Sequence, residues 1–336
     1  MTEARPANIP LLEKLKAHIE LLDPITWLGV LQGIVCGAIA SGGLTWSLES
    51  LGKFGLLTLL FGPLGTGYSQ SVNDYFDREL DRINEPTRPI PSGRLSPQEA
   101  RWNWILVGLL AIGVSVLLSS TLEQERALIL LGLTAFGLIL GYIYSAPPIK
   151  LKSNVLLSAP AVGISYSLVT WIAGNIVYAD LRPEVLAMGI INALVAIGLI
   201  FLNDFKSIEG DKAKGLKSLP VMIGVRNTYL VSFLIIDVPL IWFVYLMHSW
   251  GFEVMFYFSL VSLLIIMAMQ VLLYLDPEDG AHALDVAIQQ TGLKNVVGQS
   301  DTKAHRAYLR YLVVNNGLYV LNVVIASLLI AQKPVG

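Results

Sequence analysis

Charge is scarce in this 336-residue chain. Asp, Glu, Lys and Arg make up 14% of it and hydrophobic residues 54%, whereas a soluble domain carries charge on about a quarter of its positions. A single cysteine, Cys36, excludes an intrachain disulfide. Four histidines, at 18, 248, 282 and 305, are too widely spaced for a metal-ligand motif, and no Ser-His-Asp or Cys-His arrangement can be assembled. Strand-like alternation is missing, which excludes a membrane barrel. The net charge is −2 and no basic stripe is present, so nothing suggests a nucleic-acid partner. Residues 1–24 lack the apolar core of a signal peptide; they read as an amphipathic lead-in along the membrane surface.

What remains is dominated by apolar runs of membrane-spanning length, rich in Leu, Ile, Ala and Gly. Nine are expected, at 25–45, 53–72, 102–120, 127–146, 155–174, 184–203, 228–247, 253–275 and 308–331. The expected fold is an all-α polytopic membrane protein whose nine helices form one domain around a central cavity. Nineteen of the 23 lysines and arginines fall in the N-terminal segment, in the loops after even-numbered helices or at the start of the last helix; Lys53, Arg126, Arg182 and Lys333 lie on the other side. The positive-inside rule then places the N-terminus and both polar blocks described below in the cytoplasm and the C-terminus outside. The cytoplasmic loops are 73–101, 204–227 and 276–306, the last longer than its connection needs and without a functional account.

Two polar blocks interrupt the oil. Asn73-Asp74-Tyr75-Phe76-Asp77-Arg78-Glu79-Leu80-Asp81 and Asn203-Asp204-Phe205-Lys206-Ser207-Ile208-Glu209-Gly210-Asp211 hold seven of the 25 acids in eighteen positions. Carboxylates this dense raise each other's pKa unless a cation neutralises them. Hard oxygen ligands in such number suit Mg²⁺, which binds a few carboxylates together with the oxygens of a substrate phosphate. A shift of 130 residues superposes the blocks: Asn73 on Asn203, Asp74 on Asp204, Tyr75 on Phe205, Glu79 on Glu209 and Asp81 on Asp211. Both follow an even-numbered helix and run into a basic, proline-containing loop, the pattern of an internal duplication. Two equivalent helix ends would then face one cavity. On a continued helix Asn73, Asp77 and Asp81 share a face at i, i+4, i+8, as do Asp204, Ser207 and Asp211 at i, i+3, i+7.

The cations Arg88, Arg94, Lys150, Lys152, Lys206, Lys214 and Lys217 lie on the same side as the blocks. Arg grips phosphate bidentately and Lys acts as a point charge, so the set suits a departing diphosphate. The blander account of each is the positive-inside bias alone. Arg88-Pro89-Ile90-Pro91-Ser92-Gly93-Arg94 cannot be helical through its prolines, and Ser96-Pro97-Gln98-Glu99 reads as a capping box, so the loop is short and defined. Gly62-Pro63, Gly65 and Gly67 should loosen the second helix, either opening space beneath the first block or serving tight packing. Asp237 is a candidate as an ionisable group inside a span; the neighbouring Pro239 offers it a plainer role in satisfying a kinked backbone.

The runs NDYFDRELDRINEPTRPIPSGR, YSAPPIKLK and LNDFKSIEGDKAKGLKSLPVMIG, with Leu22-Asp23-Pro24-Ile25-Thr26-Trp27, resemble the UbiA superfamily of intramembrane prenyltransferases, and within it the branch of the chlorophyll and bacteriochlorophyll synthases. The resemblance implies that Asn73, Asp77, Asp81, Asp204 and Asp211 coordinate Mg²⁺ on a prenyl diphosphate. It also implies that Tyr144, Lys150 and Lys152 belong to a loop closing over the diphosphate. Ser207 stands where many members carry Asp, which leaves Glu209, or Asp74 in the first block, as substitute ligands. The reaction implied is transfer of a phytyl or geranylgeranyl group to the propionate carboxylate of a chlorophyllide or bacteriochlorophyllide, with the lipid bilayer and pigment-assembly proteins as partners. Its rivals are a UbiA-type enzyme prenylating a quinone precursor or haem and, more remotely, a transporter built from repeats, whose carboxylates should lie near mid-membrane instead of at helix ends.

Overall fold

The computed structural model describes residues 9–213, 217–278 and 302–334, and its regular elements there are helices. Eight helical runs among the described residues are long and apolar enough to cross a membrane: Leu11–Ala40, Pro97–Ser119, Gln124–Ser145, Val155–Ile176, Pro183–Lys206, Val225–Ser249, Glu253–Leu275 and Lys303–Gln332. The remaining expected span, 53–72, lies on a helical run of its own, α3 (Leu48–Leu59) and α4 (Gly67–Asn84) joined by a π-helical segment, Leu60–Thr66. The chain folds as two compact units, Met1–Lys152 with Val169–Arg182, and Ser153–Leu168 with Pro183–Gly336. The first acidic block belongs to the former and the second to the latter. Of the loop 276–306, residues 279–301 lie outside the described residues, as does Lys214.

In the first unit α1 (Leu11–Glu20) is an amphipathic helix. Leu11, Leu12, Leu15 and Ile19 are exposed on one face, while Ala17, with Leu21 beyond the helix, packs on Ile90, Leu95 and Ala100. That contact pins the proline loop. Arg94 adds two hydrogen bonds to Glu20 (2.6 and 2.7 Å), and Lys14 pairs with Glu99 at 2.6 Å. The expected capping box starts α5 (Pro97–Ser119): the Glu99 N–H donates to Ser96 Oγ (3.2 Å) and the Ser96 N–H to Glu99 Oε2 (2.8 Å).

Pro63 has no N–H to give the helical ladder, and the chain around it widens into the π segment. The loosening expected there is present. Gly67 nonetheless serves close packing, since a Cβ at that position would stand 3.1 Å from the Leu22 side chain. The tightest crossing in the unit joins α2 (Trp27–Ala40) to α8 (Val169–Ile176). Gly33 and Gly37, four residues apart on α2, meet Thr170, Trp171 and Gly174. In lipid, where burial of apolar surface gives no advantage over hydrocarbon, small residues let backbones approach for dispersion contact.

In the second unit α9 (Pro183–Asn203) packs on α7 (Val155–Gly163) and on α12 (Val225–Ser249), again through glycines. A Cβ on Gly163 would stand 2.8 Å from the Ala193 carbonyl, and one on Gly198 2.9 Å from that of Ser232. The other helices of the unit are α10 (Ile208–Ala213), α11 (Leu219–Ile223), α13 (Glu253–Leu275) and α14 (Lys303–Gln332). Asp237 on α12 accepts a hydrogen bond from Gln270 Nε2 of α13 (2.7 Å). Gln270 also reaches Tyr311 Oη on α14 (3.1 Å), and Tyr311 donates to Asn315 Oδ1 (3.2 Å). The side-chain contact found for Asp237 is therefore an interhelical bond, in place of the expected repair of a kinked backbone.

The α2–α8 crossing predicts a selective loss of stability. At Gly174 a Cβ would lie 2.6 Å from the Ile34 carbonyl oxygen, against backbone that cannot step aside. Gly174→Ala should lower stability by roughly 1–3 kcal/mol, the usual cost of overpacking. Gly113→Ala, where a Cβ meets open space, should leave it unchanged. Thermal midpoints of the detergent-solubilised protein, followed by its monodisperse fraction, check both.

Candidate functional site

α4 runs unbroken through the first block, so the spacing read from the sequence becomes real geometry. Asn73 and Asp77, one turn apart, meet the segment that follows α6 (Gln124–Ser145). Lys152 Nζ donates to Asn73 Oδ1 at 2.7 Å and contacts Asp77 Oδ2 directly. Lys150 Nζ stands 3.6 Å from the other Asp77 oxygen. Ser145, at the end of α6, donates its hydroxyl to Asn73 Oδ1 (2.9 Å). A short excursion of the backbone aims both lysines at one carboxylate: Lys150 has φ 43°, in the left-handed region that costs a residue with a Cβ about 1–2 kcal/mol. Strain of this kind persists where its surroundings hold it, commonly at a functional site.

Asp74 and Asp81 look to a different cation. Arg88 Nη1 lies 2.6 Å from Asp74 Oδ1 and 3.5 Å from Asp81 Oδ2, and its Nε is paired with Glu85. Burial pushes the Asp74 carboxyl up to about 7, only partly offset by Arg88. Burial likewise raises Asp81, aided by the Asp77 and Glu85 carboxylates and opposed by Arg88. Burial lowers Lys152, with Asp77 working the other way. Four acids and three cations thus stand within one half-buried patch at the end of an apolar bundle.

The second block is built differently. α9 stops at Asn203; a 3₁₀ turn, Asp204–Lys206, and the short α10 follow. The expected continuation as one helix is therefore corrected. Within the turn Phe205 is fully buried against Tyr229, with ring centroids 4.9 Å apart, and its carbonyl accepts from Thr302 Oγ1 (2.9 Å). The turn still joins the expected trio, because Ser207 Oγ donates to Asp211 Oδ2 (2.8 Å) and also lies 3.1 Å from the Asp204 carbonyl. Lys206, Glu209 and Lys217 are exposed, and Tyr144 is half-buried at the end of α6.

Of the predicted diphosphate ligands, Lys150, Lys152 and Arg88 stand among the carboxylates of α4. Arg94 does not; it is committed to Glu20 and to the Thr87 carbonyl (2.6 Å). Ser145 and Glu85 were missed. Ser145 sits inside the run YSAPPIKLK, two residues before the prolines, with no periodicity to mark it out; Glu85, three residues before Arg88, continues the four-residue spacing of Asn73, Asp77 and Asp81, a signal that could have found it.

The donors in the first block suit a hard divalent cation. Asp77 Oδ1 and Asp81 Oδ2 are buried and make no hydrogen bond, an arrangement that leaves carboxylate oxygens ready for another positive partner. Among the described residues no three His, Cys, Asp or Glu side chains converge so as to hold a metal ion by themselves. An ion held here would keep positions for oxygens from elsewhere, the habit of Mg²⁺ at a phosphate.

Comparison with known proteins gives the family. The UbiA prenyltransferase family model matches residues 29–288. The chain is 39% identical over 226 residues to the chloroplastic chlorophyll synthase of Arabidopsis thaliana, a match covering 67% of this chain and 58% of that protein; it spans under three fifths of the plant relative's length. It is 39% identical over 237 residues to the bacteriochlorophyll synthase 34 kDa chain of Chloroflexus aurantiacus, covering 70% and 73%. Two solved structures share the fold at 20% identity. One concerns a digeranylgeranylglyceryl phosphate synthase (TM-score 0.67, 94% and 99% covered), the other a UbiA homolog from Archaeoglobus fulgidus bound to DMAPP and Mg²⁺ (TM-score 0.59, 89% and 99% covered). An all-helical membrane bundle with this match across both acidic blocks belongs to the UbiA prenyltransferase family.

Proposed function

We propose that the chain transfers a C20 prenyl group, geranylgeranyl or phytyl, from its diphosphate to the propionate carboxylate of chlorophyllide or bacteriochlorophyllide, with release of diphosphate. The observation that carries this reading is 39% identity to both a chlorophyll synthase and a bacteriochlorophyll synthase. In this reading Asn73, Asp77 and Asp81, with Asp204 and Asp211, hold Mg²⁺, and Asp74 and Glu209 are reserve ligands. The Mg²⁺ bound in the Archaeoglobus homolog supports the choice of metal. When bound, the ion takes up negative charge on the leaving diphosphate.

The chain's own residues supply the remaining chemistry. Lys150, Lys152 and Arg88 supply positive charge where the leaving group becomes more negative, inside a half-buried patch. The same reading assigns Lys206, Lys214 and Lys217 of the second block and Tyr144 at the end of α6 to the diphosphate, whereas Arg94, held by Glu20 and the Thr87 carbonyl, fastens the proline loop instead. The acceptor carboxylate is ionised near neutral pH, so no general base is needed; an aromatic acceptor would have to lose a proton after attack. That agrees with the lack of any base-like arrangement in the sequence. The apolar spans would house the prenyl tail and keep water from the carbocation-like centre. The distribution of Lys and Arg supports active-site loops on the cytoplasmic face.

Membranes containing the protein should form the esterified pigment when given Mg²⁺, a C20 diphosphate and the pigment acid. Chelation of Mg²⁺ should stop the reaction and re-addition restore it. Product on a quinone precursor and none on either pigment acid would overturn the assignment of acceptor. Asp77→Ala and Asp211→Ala should each abolish turnover, a loss of at least about 10²-fold for removal of electrostatic stabilisation of this kind, with normal membrane insertion. Full turnover in either variant removes that residue from the metal set.

A further inference from the structure

Lys152 Nζ stands between the two α4 residues best placed for a divalent cation. It takes Asn73 Oδ1 at 2.7 Å and touches Asp77 Oδ2, while its side chain is only 16% exposed. Ser145 donates to the same Asn73 oxygen, and Lys150 approaches the second Asp77 oxygen. Two of the oxygens a hard metal ion would seek, Asn73 Oδ1 and Asp77 Oδ2, are already held by a cation, one that belongs to the chain.

We propose that Lys152 is a resident counter-ion that fills the metal position until a diphosphate arrives, so that metal and diphosphate enter as a pair. The proposal rests on the diphosphate reading above and adds an order of binding to it. A divalent ion arriving alone must displace the ammonium from Asn73 and Asp77 and then sit beside it, a like-charge contact in a half-buried patch. It must also leave the lysine without its carboxylate. A diphosphate changes that balance, because its oxygens offer the displaced ammonium a new partner as the metal takes Asp77. Lysine suits the exchange: its charge is compact and rides on a flexible four-carbon stem, unlike a planar guanidinium. Lys150, held by its left-handed backbone 3.6 Å from Asp77 Oδ1, keeps one positive charge on the carboxylate throughout.

The test measures two affinities of the full-length protein in detergent: Mn²⁺ alone, by its paramagnetic resonance signal, and geranylgeranyl diphosphate with Mg²⁺, by calorimetry. Lys152→Met should bind Mn²⁺ alone about ten-fold more tightly than the wild type, since a nearby unit charge is gone. It should bind the Mg²⁺–diphosphate pair more weakly by a similar factor. Lys152→Arg, which keeps the charge, should retain the weak affinity for metal alone, and Lys152→Gln stands in should the methionine variant fail to fold. Unchanged or weaker Mn²⁺ binding in a monodisperse neutral variant overturns the proposal. A wild type that binds Mn²⁺ but never diphosphate with metal brings down the diphosphate reading itself, and the paired entry with it.

Discussion

Everything at the candidate site follows from one electrostatic constraint: carboxylates gathered at the edge of an apolar bundle must find positive charge. Water cannot fully solvate Asp74, Asp77 and Asp81, and the burial that raises Asp74 and Asp81 measures the difficulty. The chain answers with two separate counter-charges. Arg88, from the proline loop, serves Asp74 and Asp81; Lys150 and Lys152, from beyond α6, serve Asp77. Each cation comes from a segment outside the helix it neutralises, so local structure in the loops is what brings α4 to balance. The fastening of the proline loop under α1 and the left-handed turn at Lys150 both serve that end.

The two blocks, alike in sequence, are unlike in backbone. α4 runs straight past its acids, whereas α9 ends at Asn203 and hands its acids to a 3₁₀ turn and a short helix. The aromatic position shared by the blocks differs in burial as well. Tyr75 stays half-buried on the side of a continuous helix, while Phe205 is drawn fully into the core against Tyr229. The blocks thus share Asp74 with Asp204, Glu79 with Glu209 and Asp81 with Asp211, carry Ser207 opposite Asp77, and present their acids on different backbones.

The sequence made helices, topology class and the face of α4 legible because each depends on local periodicity. Hydrophobic runs mark the spans, i, i+4 spacing marks Asn73 and Asp77, and Ser96 with Glu99 marks the start of α5. Long-range pairing was not legible. Nothing in the spacing of Arg94 shows that Glu20, 74 positions earlier, claims it. Ser145 looked like one more small residue in a helix, yet it fixes Asn73 across 72 positions. The burial of Phe205 stayed hidden for the same reason, since it depends on helices far along the chain. Periodicity reports which side of an element faces inward; it does not report which partner waits there.

The hydrogen-bonded chain from Asp237 through Gln270 and Tyr311 to Asn315 has a mechanical consequence for the last helix. Apolar side chains alone would let α14 slide along its neighbours at small cost, because one greasy ridge fits a groove much like the next. A slip of one turn would strip these polar groups of partners where no water can replace them. The polar rungs therefore act as a ratchet pin: α14 has a single permitted height against α12 and α13, set by side chains that touch neither acidic block.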